Sequence, residues 1–171
     1  MDLAWGGPSM DLTTSGGFLA AVFHACSLKI GGAMLVAPVC SSFVFMRFGC
    51  IVLRVRVHPR NRGTSQRSAT NPVGEERHQS VRTGNILLCR TLVIIWIAQA
   101  LGCHWVLEQP KGSVMELHPR FQEVLSRLGV WKHTISMKVF GAPSLKPTWL
   151  YSSPLLINAS HNAKRPPNKS Y

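Results

Sequence analysis

The sequence predicts an α/β fold in which helices flank a parallel sheet. Two short, continuously apolar runs carry this prediction, at residues 33–37 and 105–107, because strands buried on both faces of a parallel sheet show no polar alternation. A longer apolar stretch at residues 83–101 lies between the two runs, and it can form the helix that connects neighbouring parallel strands. A strand, a helix and a second strand in this order are the unit from which α/β domains are built.

The first predicted element is a helix over residues 13–28, where apolar residues recur at helical spacing and a threonine or serine can cap the first turn. Gly31 and Gly32 end this pattern ahead of the first buried strand. Apolar and arginine residues then alternate, which predicts a strand over residues 47–60. Residues 61–82 are polar and rich in turn formers, which predicts a surface loop.

The predicted helix 83–101 ends at Gly102, and the second buried strand stops at the segment Glu108-Gln109-Pro110. A further helix is predicted to start near Pro119 and to end near Leu128. Two later strands are predicted at residues 134–141 and 148–153, separated by a proline-containing turn. We expect residues 1–157 to form one α/β domain, with an irregular insertion and basic loop at 47–82, and residues 158–171 to be a disordered basic tail.

The chain is strongly basic, with 19 Lys and Arg against 7 Asp and Glu and a net charge of +12. Such a balance favours polyanions, which indicates nucleic acid or an anionic membrane surface as a partner. Arginine suits bidentate phosphate contacts, and the centre of the chain is rich in it. The predicted nucleic-acid-binding residues are Arg60, Arg62, Arg67, Arg77 and Arg82. The alternative is that this segment is simply a solvated loop.

The apolar stretch in the middle of the chain has two interpretations. A membrane protein with one span near residues 86–107 is one alternative function, because a span needs roughly 20 predominantly apolar residues. Arg90 and Gln99 interrupt the stretch, which favours a helix buried against a sheet.

The five cysteines are odd in number and contain no Cys-x-x-Cys pair, so the sequence predicts neither a disulfide framework nor a zinc site. The seven histidines show no ligand spacing either, and no metal site is expected. Unpaired cysteines and the lack of a basic, apolar leader at the N-terminus favour a reducing intracellular compartment, the nucleus or the cytoplasm, with a membrane location as the alternative.

Two residues with reactive side chains lie at the ends of the two buried strands. Cys40 follows the first strand and Glu108 follows the second, and the carboxyl ends of parallel strands border the ligand crevice of open α/β sheets. Cys40 is either a nucleophile in that crevice or a small core residue. Glu108 needs a partner, which could be a ligand or a structural arginine such as Arg67 or Arg82.

The segments "LVAPVCSSF" (residues 35–43) and "WVLEQP" (residues 105–110) resemble two signature segments of the cytosine-5 DNA methyltransferases. The resemblance implies a Rossmann-like fold, in which Cys40 would attack the cytosine ring and Glu108 would hold and activate the base. Such chemistry uses a thiolate nucleophile and a carboxylate that can hydrogen-bond and protonate. The methyltransferases bind S-adenosylmethionine on a glycine-rich turn, whereas this sequence contains no Gly-x-Gly pattern.

Longer motifs over residues 11–152, including "APVCSSFVFM", "NRGTSQRS" and "WVLEQP", resemble a multi-copy family of protist proteins found in dinoflagellates, themselves similar to diverged methyltransferases. This resemblance implies a partial Rossmann-like domain that lacks the N-terminal cofactor-binding unit and is inactive alone. S-adenosylmethionine would then bind only if a missing N-terminal half were restored in a longer chain. Val39 separates Pro38 from Cys40, where the methyltransferases have adjacent Pro and Cys. Residues 47–60 interrupt the shared pattern and are interpreted as an insertion.

Overall fold

The computed structural model describes residues 10–44, 66–141, 143 and 145–154. The described helices and strands are, in chain order, α1 (Ser15–Cys26), β1 (Ala33–Val36), α2 (Gln79–Ala100), β2 (His104–Pro110), α3 (Pro119–Leu128), β3 (Trp131–Ser136) and β4 (Pro147–Ser152). Two single turns of 3₁₀ helix, Val114–Leu117 and Met137–Phe140, precede α3 and follow β3.

Helix α1 begins and ends close to where the sequence predicted a helix. Thr14 is its N-cap, and the Thr14 Oγ1 atom accepts a hydrogen bond of 3.0 Å from the Gly17 amide, which satisfies one of the free amides of the first turn. The Arg90 guanidinium on α2 donates to the carbonyl oxygens of Leu12 and Thr14 at 2.8 and 2.7 Å. Arg90 therefore fixes the start of α1 to the middle of α2.

The four described strands form one mixed sheet in the order β1-β2-β4-β3. Strands β1 and β2 are parallel neighbours, as predicted, with Val36 opposite Leu107. The β2–β4 and β4–β3 pairings are antiparallel, so the prediction of a parallel sheet holds for one pairing and is wrong for the other two. Strands β3 and β4 are joined by a short link, which permits only antiparallel pairing. Strands β1 and β2 are joined through α2, which provides the crossover that parallel strands need.

One face of the sheet carries the hydrophobic core. Trp105 and Leu107 on β2 and Tyr151 on β4 have no more than 1% of their surface exposed, and they pack with fully buried residues of α2 and α3 such as Leu88 and Phe121. Helix α1 packs against α2 through a smaller cluster that Met34 of β1 also contacts. All three described helices therefore cover the same side of the sheet.

The opposite face of the sheet is apolar and open around β1. Leu35 is 74% exposed and lies opposite Val106, and Leu150 on β4 continues the same face. The sequence predicted that β1 is buried on both faces, and this prediction is wrong, because exposed and half-buried residues alternate along β1. A continuous apolar run is compatible with either arrangement, and only the position of the helices decides between them.

Several element boundaries differ from the prediction. Helix α2 begins at Gln79, so residues 79–82 belong to a helix and not to the predicted loop. Strand β2 continues through Glu108 and Gln109 to Pro110, which pairs with Thr148. Pairing with β4 keeps these polar residues in the sheet. Strand β3 ends at Ser136, where a 3₁₀ turn begins. The predicted strand and insertion at 47–60, and the predicted tail at 158–171, lie outside the described residues.

Helix α2 is long and apolar enough to cross a membrane by length and composition, with a mean hydropathy of 1.5 in its most apolar window. Half of that window is buried inside the fold, and core helices of soluble proteins have the same composition. The predicted span near residues 86–107 does not coincide with one helix. Helix α2 ends at Ala100, and β2 begins at His104, because Gly102 turns the chain with a φ of 69°.

Candidate functional site

The candidate site lies where β1 ends beside β2, three residues before the end of β2. Leu107 pairs with Val36 at the end of β1, Glu108 is the next residue of β2, and Cys40 lies four residues after the end of β1. The thiol of Cys40 lies close enough to Glu108 for the carboxylate to influence its pKa. Parallel pairing therefore brings the two predicted residues into one region.

Cys40 has the electrostatic surroundings of an unreactive thiol. Burial raises the pKa of the Cys40 thiol above its ordinary value, and the nearby Glu108 carboxylate raises it further. A backbone hydrogen bond and the Lys146 ammonium act in the opposite direction without reversing the shift. The thiol is therefore protonated at neutral pH, whereas nucleophilic cysteines need a lowered pKa.

Lys146 is the ion-pair partner of Glu108. The Lys146 Nζ atom lies 3.9 Å from the Glu108 Oε1 atom, and both side chains are partly exposed. The predicted arginine partners, Arg67 and Arg82, make other contacts. Lys146 reaches Glu108 because it lies just ahead of β4, which pairs with β2. A single sequence does not contain that register, so sequence reasoning missed Lys146.

Gln109 joins the two segments that contain Cys40 and Glu108. Its side chain is 1% exposed, and its amide donates to the Pro38 carbonyl oxygen at 3.3 Å. The Oε1 atom of the same side chain accepts from the Ser113 hydroxyl at 3.2 Å. A buried amide with partners on both sides has a defined orientation. Gln109 thus holds the segment after β1 against the end of β2, a role that no local sequence pattern indicates.

Arg67 is a buried structural residue, although it was predicted to contact nucleic acid. The side chain is 2% exposed, and its carbon Cζ lies 3.8 Å from the centre of the Phe43 ring. The guanidinium donates to four protein oxygens: Pro72 O, Val73 O, Ser42 Oγ and Val81 O. Burial lowers the Arg67 pKa to about 10, so it is charged at neutral pH. It holds the loop before α2 against the segment after β1.

Gly84 on α2 makes this packing possible. A Cβ atom at position 84 would lie far inside contact distance of the Ser42 hydroxyl and close to Arg67 and Phe43. Only glycine leaves room for these three side chains against the helix. The requirement is steric and comes from the tertiary structure, because Gly84 lies in regular helix.

The other predicted arginines divide into two groups. Arg77 and Arg82 are exposed at the start of α2. Arg77 pairs with Glu75, and Arg82 donates to the Gln79 side chain at 2.8 Å. Arg60 and Arg62 lie outside the described residues. Of the predicted set, Arg77 and Arg82 are thus the members that the described surface presents to solvent.

His118 packs edge-on against the Phe43 ring and is buried and neutral. It is 4% exposed, and its Nδ1 atom accepts from the Arg120 amide at 3.3 Å as the N-cap of α3. Burial lowers the His118 pKa to about 4, and the charges of Arg67 and Arg120 lower it in the same direction. Among the residues that the structure describes, no group of three His, Cys, Asp or Glu side chains could hold a metal ion.

Comparisons of the chain with protein-family models, with curated proteins and with solved structures found no match, so the site is interpreted from its own residues.

Proposed function

We propose that this chain is a diverged, non-catalytic relative of the cytosine-5 DNA methyltransferases, with a partial Rossmann-like domain. The support for a shared ancestry is the placement of Cys40 after β1 and of Glu108 on the parallel strand β2, beside the end of β1, with the two strands joined through a helix. The sequence resemblance gives these two residues their roles in the methyltransferases.

The observation that carries the absence of catalysis is the position of Cys40, which is partly buried near the Glu108 carboxylate, so that its pKa is raised. Attack on a cytosine ring needs a thiolate, and both burial and the Glu108 carboxylate favour the thiol. Glu108 is also ion-paired with Lys146, whereas the proposed ancestral role requires the carboxylate to hold the base. The site therefore has the residues of the reaction without the electrostatics that it needs.

Alkylation of Cys40 tests this proposal. Iodoacetamide reacts with the thiolate, so the rate at Cys40, followed by peptide mass spectrometry against pH, reports its pKa. The midpoint is expected above the ordinary value of 9.0, with the urea-unfolded chain as the reference. Glu108→Gln should lower the midpoint and Lys146→Met should raise it. A midpoint below that of the unfolded chain would contradict the proposal.

Cofactor binding gives an independent test. The proposal assigns no cofactor to this chain, which contains no Gly-x-Gly pattern of the kind on which the methyltransferases bind S-adenosylmethionine. Titration calorimetry of the full chain with S-adenosylmethionine at up to about 1 mM should therefore give no saturable heat. A dissociation constant of about 1 mM corresponds to about 4 kcal/mol of binding free energy. A saturable heat would sink the non-catalytic proposal.

Nucleic-acid binding is the second candidate function. It is favoured by the exposed Arg77 and Arg82 and by the net charge of +12. Fluorescence anisotropy with a labelled DNA duplex against salt concentration measures the number of phosphates contacted. The double variant Arg77→Gln/Arg82→Gln should reduce the slope of log K against log salt by about 2. An unchanged slope would exclude these two arginines from the interface.

The matched control for that experiment is Arg120→Gln/Arg127→Gln on α3, which removes the same charge from the surface. Its slope should equal that of the unaltered chain. Equal reductions in both double variants would mean that only net charge matters, and they would count against a defined site at the start of α2.

A further inference from the structure

We propose that the free edge of β1 binds an extended peptide segment of a partner protein, which adds a strand to the sheet. The segment would have large apolar residues at alternating positions and acidic residues at the end that lies beside Lys29. The inference rests on the hydrogen-bonding pattern of β1, on the apolar surface on both faces of the sheet beside it and on the charges around it, and it does not depend on the proposed methyltransferase ancestry.

The hydrogen-bonding pattern leaves one edge of β1 unpaired within the described residues, since β1 is the terminal strand of the sheet. The His104 amide donates to the Gly32 carbonyl oxygen at 2.7 Å. In a parallel ladder this bond means that the N–H and C=O groups of Met34 and Val36 face β2. The N–H and C=O groups of Ala33 and Leu35 then face away from the sheet. An incoming strand would thus meet alternating donors and acceptors at standard spacing.

Apolar surface lies on both faces of the sheet at this edge. One cavity of about 200 Å³ lies between α1 and β1 and is lined by Ala21, Leu28 and Met34. On the open face, an apolar surface extends from Leu35 across Val106 to Leu150. Side chains of an added strand point alternately to the two faces, so one set would lie against the cavity beside α1 and the other would lie next to Leu35. Apolar surface on both faces of one edge favours an extended strand over a helix or a small ligand.

The four residues of β1 also include none of the residue types by which proteins commonly block such an edge. Ala33, Met34, Leu35 and Val36 include no charge and no proline, although edge strands commonly carry Lys, Pro or a bulge that prevents pairing. Leu35 is 74% exposed. Exposure of this apolar side chain to water is unfavourable, and a partner that buries it would remove that cost. An exposed apolar edge of this kind is a binding surface or an aggregation site.

The surrounding charges indicate an acidic flank on the partner. Lys29 lies beside the amino end of β1, where its carbonyl oxygen accepts from the Gly32 amide, and no described carboxylate forms an ion pair with its ammonium group. At the carboxyl end, Glu108 is already paired with Lys146. The chain as a whole carries a net charge of +12. Acidic residues on the partner would therefore raise its association rate, and the positive charge of this chain would disfavour basic segments.

The experiment uses the full chain and a labelled synthetic peptide of about eight residues, the length of an ordinary strand. Valine and isoleucine occupy alternating positions, threonine lies between them, and glutamates flank both ends. Fluorescence anisotropy should show saturable binding that weakens with salt. A peptide with lysine flanks should bind more weakly, and one with the same composition but grouped apolar residues should not bind. Absence of binding at about 1 mM, or equal binding of all three peptides, overturns the proposal.

Amide hydrogen exchange locates the bound strand. The Ala33 and Leu35 amides face the free edge and should gain protection when the peptide binds. The Met34 and Val36 amides are already bonded to β2 and serve as internal controls. Protection confined to other parts of the chain would place the peptide elsewhere and overturn the assignment to β1.

Leu35→Pro is the matched substitution, because it removes one outward donor and leaves the ladder with β2 intact. Loss of that hydrogen bond should weaken peptide binding about fivefold or more. Leu35→Lys, which adds a charge at an exposed position, should weaken it as well if the proline variant fails to fold. Unchanged affinity in a folded variant overturns the proposal. A dimer of the unaltered chain that Leu35→Pro dissociates would assign the edge to a second copy and overturn it equally.

Discussion

The buried neutral His118 makes the stability of the protein depend on pH in a defined direction. The folded pKa of His118 is about 4, against an ordinary value of 6.5. The unfolded chain therefore takes up a proton between these two values and the folded chain does not. Stability from this group is full above pH 6.5, falls as the pH drops toward 4, and changes no further below that.

The size of the effect follows from the same two values. A difference of one pKa unit corresponds to about 1.4 kcal/mol, so the full shift is worth about 3 kcal/mol. Between pH 7 and pH 4.5 the loss from His118 alone is about 2 kcal/mol. That is a large fraction of the 5–15 kcal/mol over which domains are typically stable.

Urea unfolding at the two pH values measures this loss, and His118→Asn is the control variant. Asparagine can accept the Arg120 amide as an N-cap but does not titrate. The drop in unfolding free energy from pH 7 to pH 4.5 should be about 2 kcal/mol smaller in the variant, and other titrating groups cancel in the comparison. Equal drops in the two proteins, or an imidazole NMR titration of His118 centred near pH 6.5, would refute the reasoning.

Three further substitutions test the packing. Gly84→Ala should destabilise the fold by about 1–3 kcal/mol in urea unfolding, because the added methyl group overlaps the Ser42 hydroxyl. Gly16→Ala, also on a helix but with no atom within 4 Å of the new methyl group, should be neutral or stabilising by up to about 1 kcal/mol, and equal effects at both glycines would contradict the steric argument. Thr14→Ala removes the cap of α1 and should cost about 1 kcal/mol, which Thr14→Ser should restore. Lys132→Met removes the Glu116 ion pair and the cation over the Trp149 ring, and it should cost about 1 kcal/mol; a stabilised variant would show that desolvation of Lys132 outweighs both contacts.

Local sequence signals predicted the elements that depend on them. The cap at Thr14, the apolar run of β1, the turn at Gly102 and the proline in the first turn of α3 each act over a few residues. The parallel pairing of β1 with β2 also followed, because an intervening helix makes a crossover natural. These features need no information about distant parts of the chain.

The candidate site was predictable only in part. Cys40 and Glu108 could be placed together from the ends of the two strands. Lys146, which pairs with Glu108, depends on the register of β4 against β2. Gln109 and Arg67 are polar residues that the sequence could not place in the interior, because burial of a polar side chain is decided by the partners that it finds.

The distribution of charge shows most clearly which properties come from the sequence and which come from the tertiary structure. The sequence by itself determined the net charge of +12, since composition does not depend on folding. Only the tertiary structure decided that Arg67 and Arg90 satisfy backbone carbonyls while Arg77 and Arg82 remain at the surface. It likewise left Leu35 exposed on an open sheet face, because all described helices pack on the other side. Residue type fixes what a side chain can do, and long-range packing decides whether it meets solvent.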